Sequence, residues 1–82
     1  MDITIYSTTT CGFCHALYSW LDDNNVKFKK ILTDEDSDGM EEFLKVCDGS
    51  IAVPLTVITD DTGKQTKISG FDRPKFKAIL GI

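Results

Sequence analysis

The chain has 82 residues, 41% hydrophobic and 27% charged, the composition of one ordinary globular domain over residues 1–82. That length supports one modest core and excludes a separate dinucleotide-binding domain or a repeat array. Nine basic against 13 acidic residues give a formal net charge of −4, which speaks against nucleic-acid binding, where clustered Lys and Arg supply most of the affinity. No run approaches the roughly 20 apolar residues of a membrane span. Met1-Asp2-Ile3-Thr4 has neither the basic region nor the apolar stretch of a signal peptide. A cytoplasmic monomer with no membrane partner is therefore expected.

In chain order, Ile3-Thr4-Ile5-Tyr6 alternates and is rich in strand formers, so it predicts a first strand. Ser7 to Thr10 reads as a polar loop. From Gly12 to about Asn24, Cys14, Leu17, Tyr18 and Leu21 share one face of an amphipathic helix that Asn24-Asn25 ends. Val26 and Phe28, with Ile31 and Leu32 out of phase, predict a second strand whose solvent face carries Lys27, Lys29 and Lys30. The acidic run Asp34 to Asp38 lacks the spacing and closing Glu of a calcium loop and reads as a solvated loop ahead of a helix. In that helix Met40, Phe43, Leu44 and Cys47 form the apolar face, and Asp48-Gly49 stops it. Leu55 to Thr59 is a strand, Asp60-Asp61-Thr62-Gly63 a turn, and Lys64 to Ser69 the returning partner. Asp72 caps a last helix with Pro74 in its first turn and Phe76, Ile79 and Leu80 facing inward. The order β-α-β-α-β-β-α implies an α/β domain: a mixed four-stranded sheet, one pair parallel through a right-handed crossover, with three helices on its two faces.

Three cysteines in a chain without a signal sequence make a poor disulfide scaffold. Two of them form Cys11-Gly12-Phe13-Cys14, a C-x-x-C at the point where a loop enters a helix. Such a pair serves either redox exchange or half of a zinc site. At the helix entry, the unpaired first-turn N–H groups and the positive end of the helix dipole stabilise a thiolate. Cysteines so placed commonly titrate at about 3.5–7.5 rather than near 8.5. Cys11 is thus the expected nucleophile and Cys14, one turn further in on the buried face, the resolving thiol. Gly12 clears the approach to the sulfur, and Phe13 offers an apolar surface beside it. A zinc site needs two more ligands, for which only His15 and Cys47 are available, without a second C-x-x-C or an H-x-x-x-H; no metal is expected. Cys47 reads as a packed core thiol, His15 as a surface residue and Trp20 as partly buried packing. Tyr6 and Phe13 are candidates for the border of a substrate groove.

The helix-entry C-x-x-C, the element order and Ala52-Val53-Pro54 before the third strand together resemble the thioredoxin fold, and the small size resembles its glutaredoxin branch, near NrdH-type redoxins and mycoredoxins. The resemblance covers essentially the whole chain. It implies a cis bond at Val53-Pro54, matching the family's Thr-Val-Pro turn, which would aim the Val53 backbone at an extended substrate beside Cys11. It also matches Ser69-Gly70-Phe71-Asp72 to the family's Gly-Gly-Cys-Asp segment, where backbone N–H groups and an Asp hold the γ-glutamyl end of glutathione; Gly70 and Asp72 agree, Ser69 and Phe71 do not. The family's usual cation three residues before the first cysteine is replaced by Thr8. Ser69-Gly70-Phe71 with Arg73-Pro74 is instead similar to the Ser-Gly-Phe-Arg-Pro run of NrdH-type redoxins, with Asp72 inserted, and Tyr6-Ser7-Thr8 is similar to mycoredoxins.

The expected activity is a thiol–disulfide oxidoreductase reducing protein disulfides or mixed disulfides, with Cys11 and Cys14 catalytic. Phe13, Val53, Pro54, Gly70, Phe71 and Asp72 would then contact substrate or glutathione. Glutathione would be a co-substrate rather than a bound cofactor; low-molecular-weight disulfides, thioredoxin reductase and, through the NrdH resemblance, ribonucleotide reductase are the implied partners. The other function weighed is a glutathione-dependent iron–sulfur module, because Cys-Gly-Phe-Cys differs by one atom from the Cys-Gly-Phe-Ser of monothiol glutaredoxins.

Overall fold

Alternation along the strands divides the apolar residues between two sides of one sheet, and this division decides where each helix packs. The computed structural model describes residues 1–82. The elements are β1 (Asp2–Ser7), α1 (Gly12–Asp23), β2 (Lys29–Leu32), α2 (Ser37–Val46), β3 (Leu55–Thr59), β4 (Gln65–Ser69) and α3 (Arg73–Leu80). The sheet runs β2-β1-β3-β4, with β1 and β2 parallel and the other neighbours antiparallel. The expected order and mixed sheet are both present.

On one face Ile3 and Ile5 of β1, Ile58 of β3 and Ile68 of β4 meet Cys14, Leu17, Tyr18 and Leu21 of α1 and Phe76 of α3. On the other, Tyr6, Ile31, Leu55 and Val57 meet Phe43 and Cys47 at the end of α2. Each fully buried Leu, Ile or Phe contributes about 1.5–3 kcal/mol. The two clusters together therefore secure both layers on the shared sheet.

Two boundaries and one helix face depart from the sequence reading. The second strand begins at Lys29 rather than at Val26. The end of α1 claims the preceding residues: Asn25 takes a left-handed φ of 58°, and the Val26 N–H donates to the Leu21 carbonyl at 2.9 Å. Phe28 is drawn out of the sheet to stack on Tyr18, their centroids 5.4 Å apart. The acidic run is not all loop, since Asp36 caps α2 through the Gly39 N–H and Asp38 lies in its first turn. There a carboxylate favours the positive end of the helix dipole. The apolar face of α2 is narrower than its periodicity implies, because Phe43 and Cys47 are buried while Met40 and Leu44 are 38% and 56% exposed. The helix meets the sheet through Gly39, where an added Cβ would collide with Ile31 Cγ2 and crowd the Asp36 carboxylate.

Gly39→Ala should therefore destabilise the protein by about 1–3 kcal/mol through overpacking. Gly12→Ala, where nothing lies within 4 Å of the new methyl, should leave stability unchanged or raise it by at most about 1 kcal/mol. Urea unfolding of the two variants checks the contrast.

Candidate active site

The loop between β1 and α1 is polar, short and tied at its centre. The Thr9 N–H donates to both carboxylate oxygens of Asp34, at 3.2 and 3.1 Å, and its hydroxyl donates to one of them at 2.6 Å. Its carbonyl lies 3.3 Å from Nε2 of His15. Asp34 of the turn between β2 and α2 and His15 of α1 thus hold the segment that delivers Cys11 to the helix. The Thr9 hydroxyl is the main cause that keeps the Asp34 carboxyl below the ordinary Asp range, because each of these bonds favours the charged form.

Cys11 is the N-cap of α1, with extended backbone and its Sγ accepting the Cys14 N–H at 3.2 Å. Sulfur occupies the place usually taken by a Ser, Thr, Asp or Asn oxygen. Cys11 and Cys14 are joined as a disulfide with Cα atoms 5.2 Å apart. Cys11 is partly exposed, whereas Cys14 has no exposed surface. Incoming thiols therefore have access to one sulfur of the pair and not to the other.

An open groove of about 330 Å³ is lined by Phe13, two residues after Cys11 in the chain, with Val53, Pro54, Gly70 and Phe71. Phe13 is 74% exposed. The Val53-Pro54 bond is cis, and the Gly70 N–H donates to the Pro54 carbonyl at 2.8 Å, stitching the two far walls together. Gly70 has a φ of 76°, a conformation that a side chain rarely adopts. Neither backbone polar group of Val53 has a partner within the chain. Phe71 leans on Trp20, their rings 5.7 Å apart. Asp72 is placed differently: it caps α3 through the Lys75 N–H at 3.3 Å and lines a second depression with Ser69, Phe71, Arg73 and Pro74. Five of the six expected contact residues thus share one groove, and Asp72 stands next to it.

Tyr6 does not border this groove. It is buried on the α2 face against Phe43, with its hydroxyl donating to Glu42 at 2.7 Å. Burial, aided by that carboxylate, pushes the Tyr6 phenol well above its ordinary value. Cys47 is buried in the same layer, across the sheet from the helix that carries His15. No group of three His, Cys, Asp or Glu side chains gathers anywhere on the chain. Two features were not anticipated from the residues. One is the Asp34 clamp on Thr9, for which the acidic run gave no pairing signal. The other is a buried hydrogen bond between the hydroxyls of Ser7 and Tyr18, whose burial raises the Tyr18 phenol while the bond acts against the shift.

A glutaredoxin family model matches residues 3–62. The chain belongs to the glutaredoxin family. Solved structures agree. Methanoredoxin from Methanosarcina acetivorans is 25% identical with a TM-score of 0.80, covering 99% of this chain and 85% of its own. The glutaredoxin-like NrdH-redoxin from Escherichia coli is 29% identical with a TM-score of 0.73, covering 98% of this chain and 95% of its own. A buckwheat glutaredoxin, solved with glutathione, is 28% identical with a TM-score of 0.69, covering 98% and 70%. The three-helix, four-stranded architecture is accordingly the thioredoxin-like fold. No curated protein matches the sequence. As a member of the glutaredoxin family, the chain is a redox protein whose Cys11-Gly12-Phe13-Cys14 motif holds its two sulfurs within bonding reach.

The clamp predicts an acid response. An Asp whose folded pKa is depressed supports its contacts fully above the unfolded value near 3.9 and loses them as pH falls through the lower folded value. The Thr9 amide resonance should titrate with a midpoint below that of ordinary exposed Asp neighbours, and Asp34→Asn should abolish that titration. A Thr9 amide that is unmoved by acid in the unaltered protein would show that the clamp does not form.

Proposed function

We propose that this chain is a thiol–disulfide oxidoreductase that reduces protein disulfides or mixed disulfides by a dithiol cycle. The observation that carries the reading is the unequal exposure of the two sulfurs at the start of α1, beside a groove whose Val53 backbone is unpaired. In the reduced protein the Cys11 thiolate is stabilised by the Cys14 N–H and by the first turn of α1. It attacks a substrate disulfide, forming a mixed disulfide and releasing the substrate's other sulfur as a thiolate. Cys14 then attacks Cys11 Sγ, expels the second substrate thiolate and restores the intramolecular disulfide. An extended substrate segment pairs with the Val53 N–H and carbonyl as a short added strand, its apolar side chains against Phe13 and Phe71. In this reading the domain works as a monomer in the cytoplasm.

The electron source divides into two cases. The E. coli relative is described as having a thioredoxin-like activity profile, and the buckwheat relative holds glutathione. Thr8 stands where a cation would meet a glutathione carboxylate, and no Lys or Arg occurs before Lys27. The apolar groove and the missing cation favour a protein dithiol, that of thioredoxin reductase, over glutathione. Ribonucleotide reductase is a client implied only by the resemblance to NrdH-type redoxins.

NADPH oxidation with a disulfide substrate should proceed with thioredoxin reductase and be at least tenfold slower with glutathione and glutathione reductase. The reverse order would transfer Gly70 and Asp72 to a glutathione site. Cys11→Ser should abolish turnover in both arms, and full activity of that variant would overturn the assignment. Cys14→Ser should accumulate a mixed disulfide on Cys11, visible as an added substrate mass in intact-protein mass spectrometry.

A further inference from the structure

Two depressions meet at one aromatic ring. Phe71 lines the groove of Phe13, Val53, Pro54 and Gly70, and it also lines the depression of Ser69, Asp72, Arg73 and Pro74. The groove has no charged residue in its walls. The depression has two, of opposite sign, and they differ in what they are free to bind. The Asp72 carboxylate is engaged as the cap of α3, its Oδ1 accepting the Lys75 N–H at 3.3 Å. Arg73 is exposed and belongs to neither of the protein's two ion pairs, which join Met1 to Asp61 and Lys67 to Asp48.

What holds the guanidinium is a stack of rings rather than an acid. Its central carbon lies 5.0 Å from the Phe71 centroid, a cation–π contact. Phe71 leans on Trp20, their centroids 5.7 Å apart, and Trp20 meets Phe76 at 6.0 Å. Phe76 has no exposed surface, so the cation is tied through three rings to the core. Its place is therefore set before any ligand arrives. Its N–H donors form a fork that matches a carboxylate, and no carboxylate of the chain occupies them. Lys75 and Lys77 follow on the same helix. Residues 72–80 thus carry three cations and one acid in a chain of net charge −4, a local excess opposite in sign to the whole.

We propose that Arg73 is a specificity-determining residue that binds a carboxylate of an extended, disulfide-bearing polypeptide lying in the groove across Phe71. The preferred substrates are then segments with an acidic residue near the reactive cysteine and apolar side chains for the groove. A general attraction of acidic chains by this protein is excluded by its net negative charge, so the preference depends on one residue. The inference rests on the thiol–disulfide reading and names the substrate class of that same site.

The test uses two synthetic peptides with a single cysteine in a mixed disulfide with 2-thiopyridine. One carries glutamates on both sides of the cysteine, the other glutamines at the same positions. The fully reduced protein, freed of excess reductant, is mixed with each peptide. Its dithiol gives two electrons to the mixed disulfide, forming the Cys11–Cys14 disulfide and releasing the peptide thiol and pyridine-2-thione, whose absorbance reports the rate. The glutamate peptide should react about three- to fivefold faster at low salt, the scale of an exposed ion pair, and the advantage should fade as salt rises. Arg73→Gln should abolish or reverse the advantage while leaving the glutamine peptide unchanged, and Arg73→Lys should keep only part of it. Equal rates for the two peptides with the unaltered protein would overturn the proposal. So would equal slowing of both by Arg73→Gln, which would make Arg73 a support for Phe71, or an advantage that survives that substitution and so belongs to Lys75 and Lys77. If the reduced protein leaves both peptides intact while dithiothreitol cleaves them, the thiol–disulfide reading itself falls.

Discussion

The Cys14 N–H points at Cys11 Sγ from 3.2 Å, and most of the molecule serves to keep that contact at the mouth of a helix. Neutral sulfur is a weak acceptor and a thiolate a strong one, so this cap is completed only when Cys11 ionises. Around it, β1 supplies a rigid floor, the Asp34 carboxylate fixes the preceding turn through Thr9, and Phe76 with the isoleucines of three strands holds α1 down on the sheet.

The division of labour between the two sulfurs follows from the helical repeat. Residues three apart lie on nearly the same side of a helix but one turn apart in depth. The first sulfur therefore meets solvent while the second joins the core. The two layers of the sheet extend that separation. The α1 layer carries the Cys11–Cys14 pair and the buried hydroxyls of Ser7, Tyr18 and Thr56. The α2 layer carries Tyr6, Phe43 and Cys47, none of which reaches the groove. A third thiol is thus kept in the same small protein without competing for the disulfide.

Much of this was legible in the residues. The periodicity of Cys14, Leu17, Tyr18 and Leu21 located α1 and its buried face, Asp72 and Pro74 marked the start of α3, and Asp60 to Gly63 marked the hairpin, because each of these signals is local. The groove could be assembled only through the family resemblance, since nothing in the composition places Val53, Gly70 and Phe13 together. What escaped detection was set by contacts distant in sequence. Tyr6 had the right neighbours in sequence for the groove and the wrong strand parity to reach it. Val26 and Phe28 alternated like a strand but were taken by the end of α1 and by the Tyr18 ring. Met40 and Leu44 kept a helical spacing that Gly39 made redundant. Asp34 looked like one carboxylate in a solvated run, and only the parallel pairing of β1 with β2 brings it beside Thr9.

The sheet has two outer strands, β2 and β4, and outer strands invite other chains to pair with them. Here β2 is only four residues long and begins with exposed Lys29 and Lys30, while β4 begins with exposed Gln65 and has Lys67 at its centre, bound to Asp48. Short, charged borders of this kind discourage self-association by mutual repulsion and by brevity. With the long sides of the sheet so guarded, an extended partner of the kind proposed would find its open backbone at Val53, whose N–H and carbonyl have no partner within the chain.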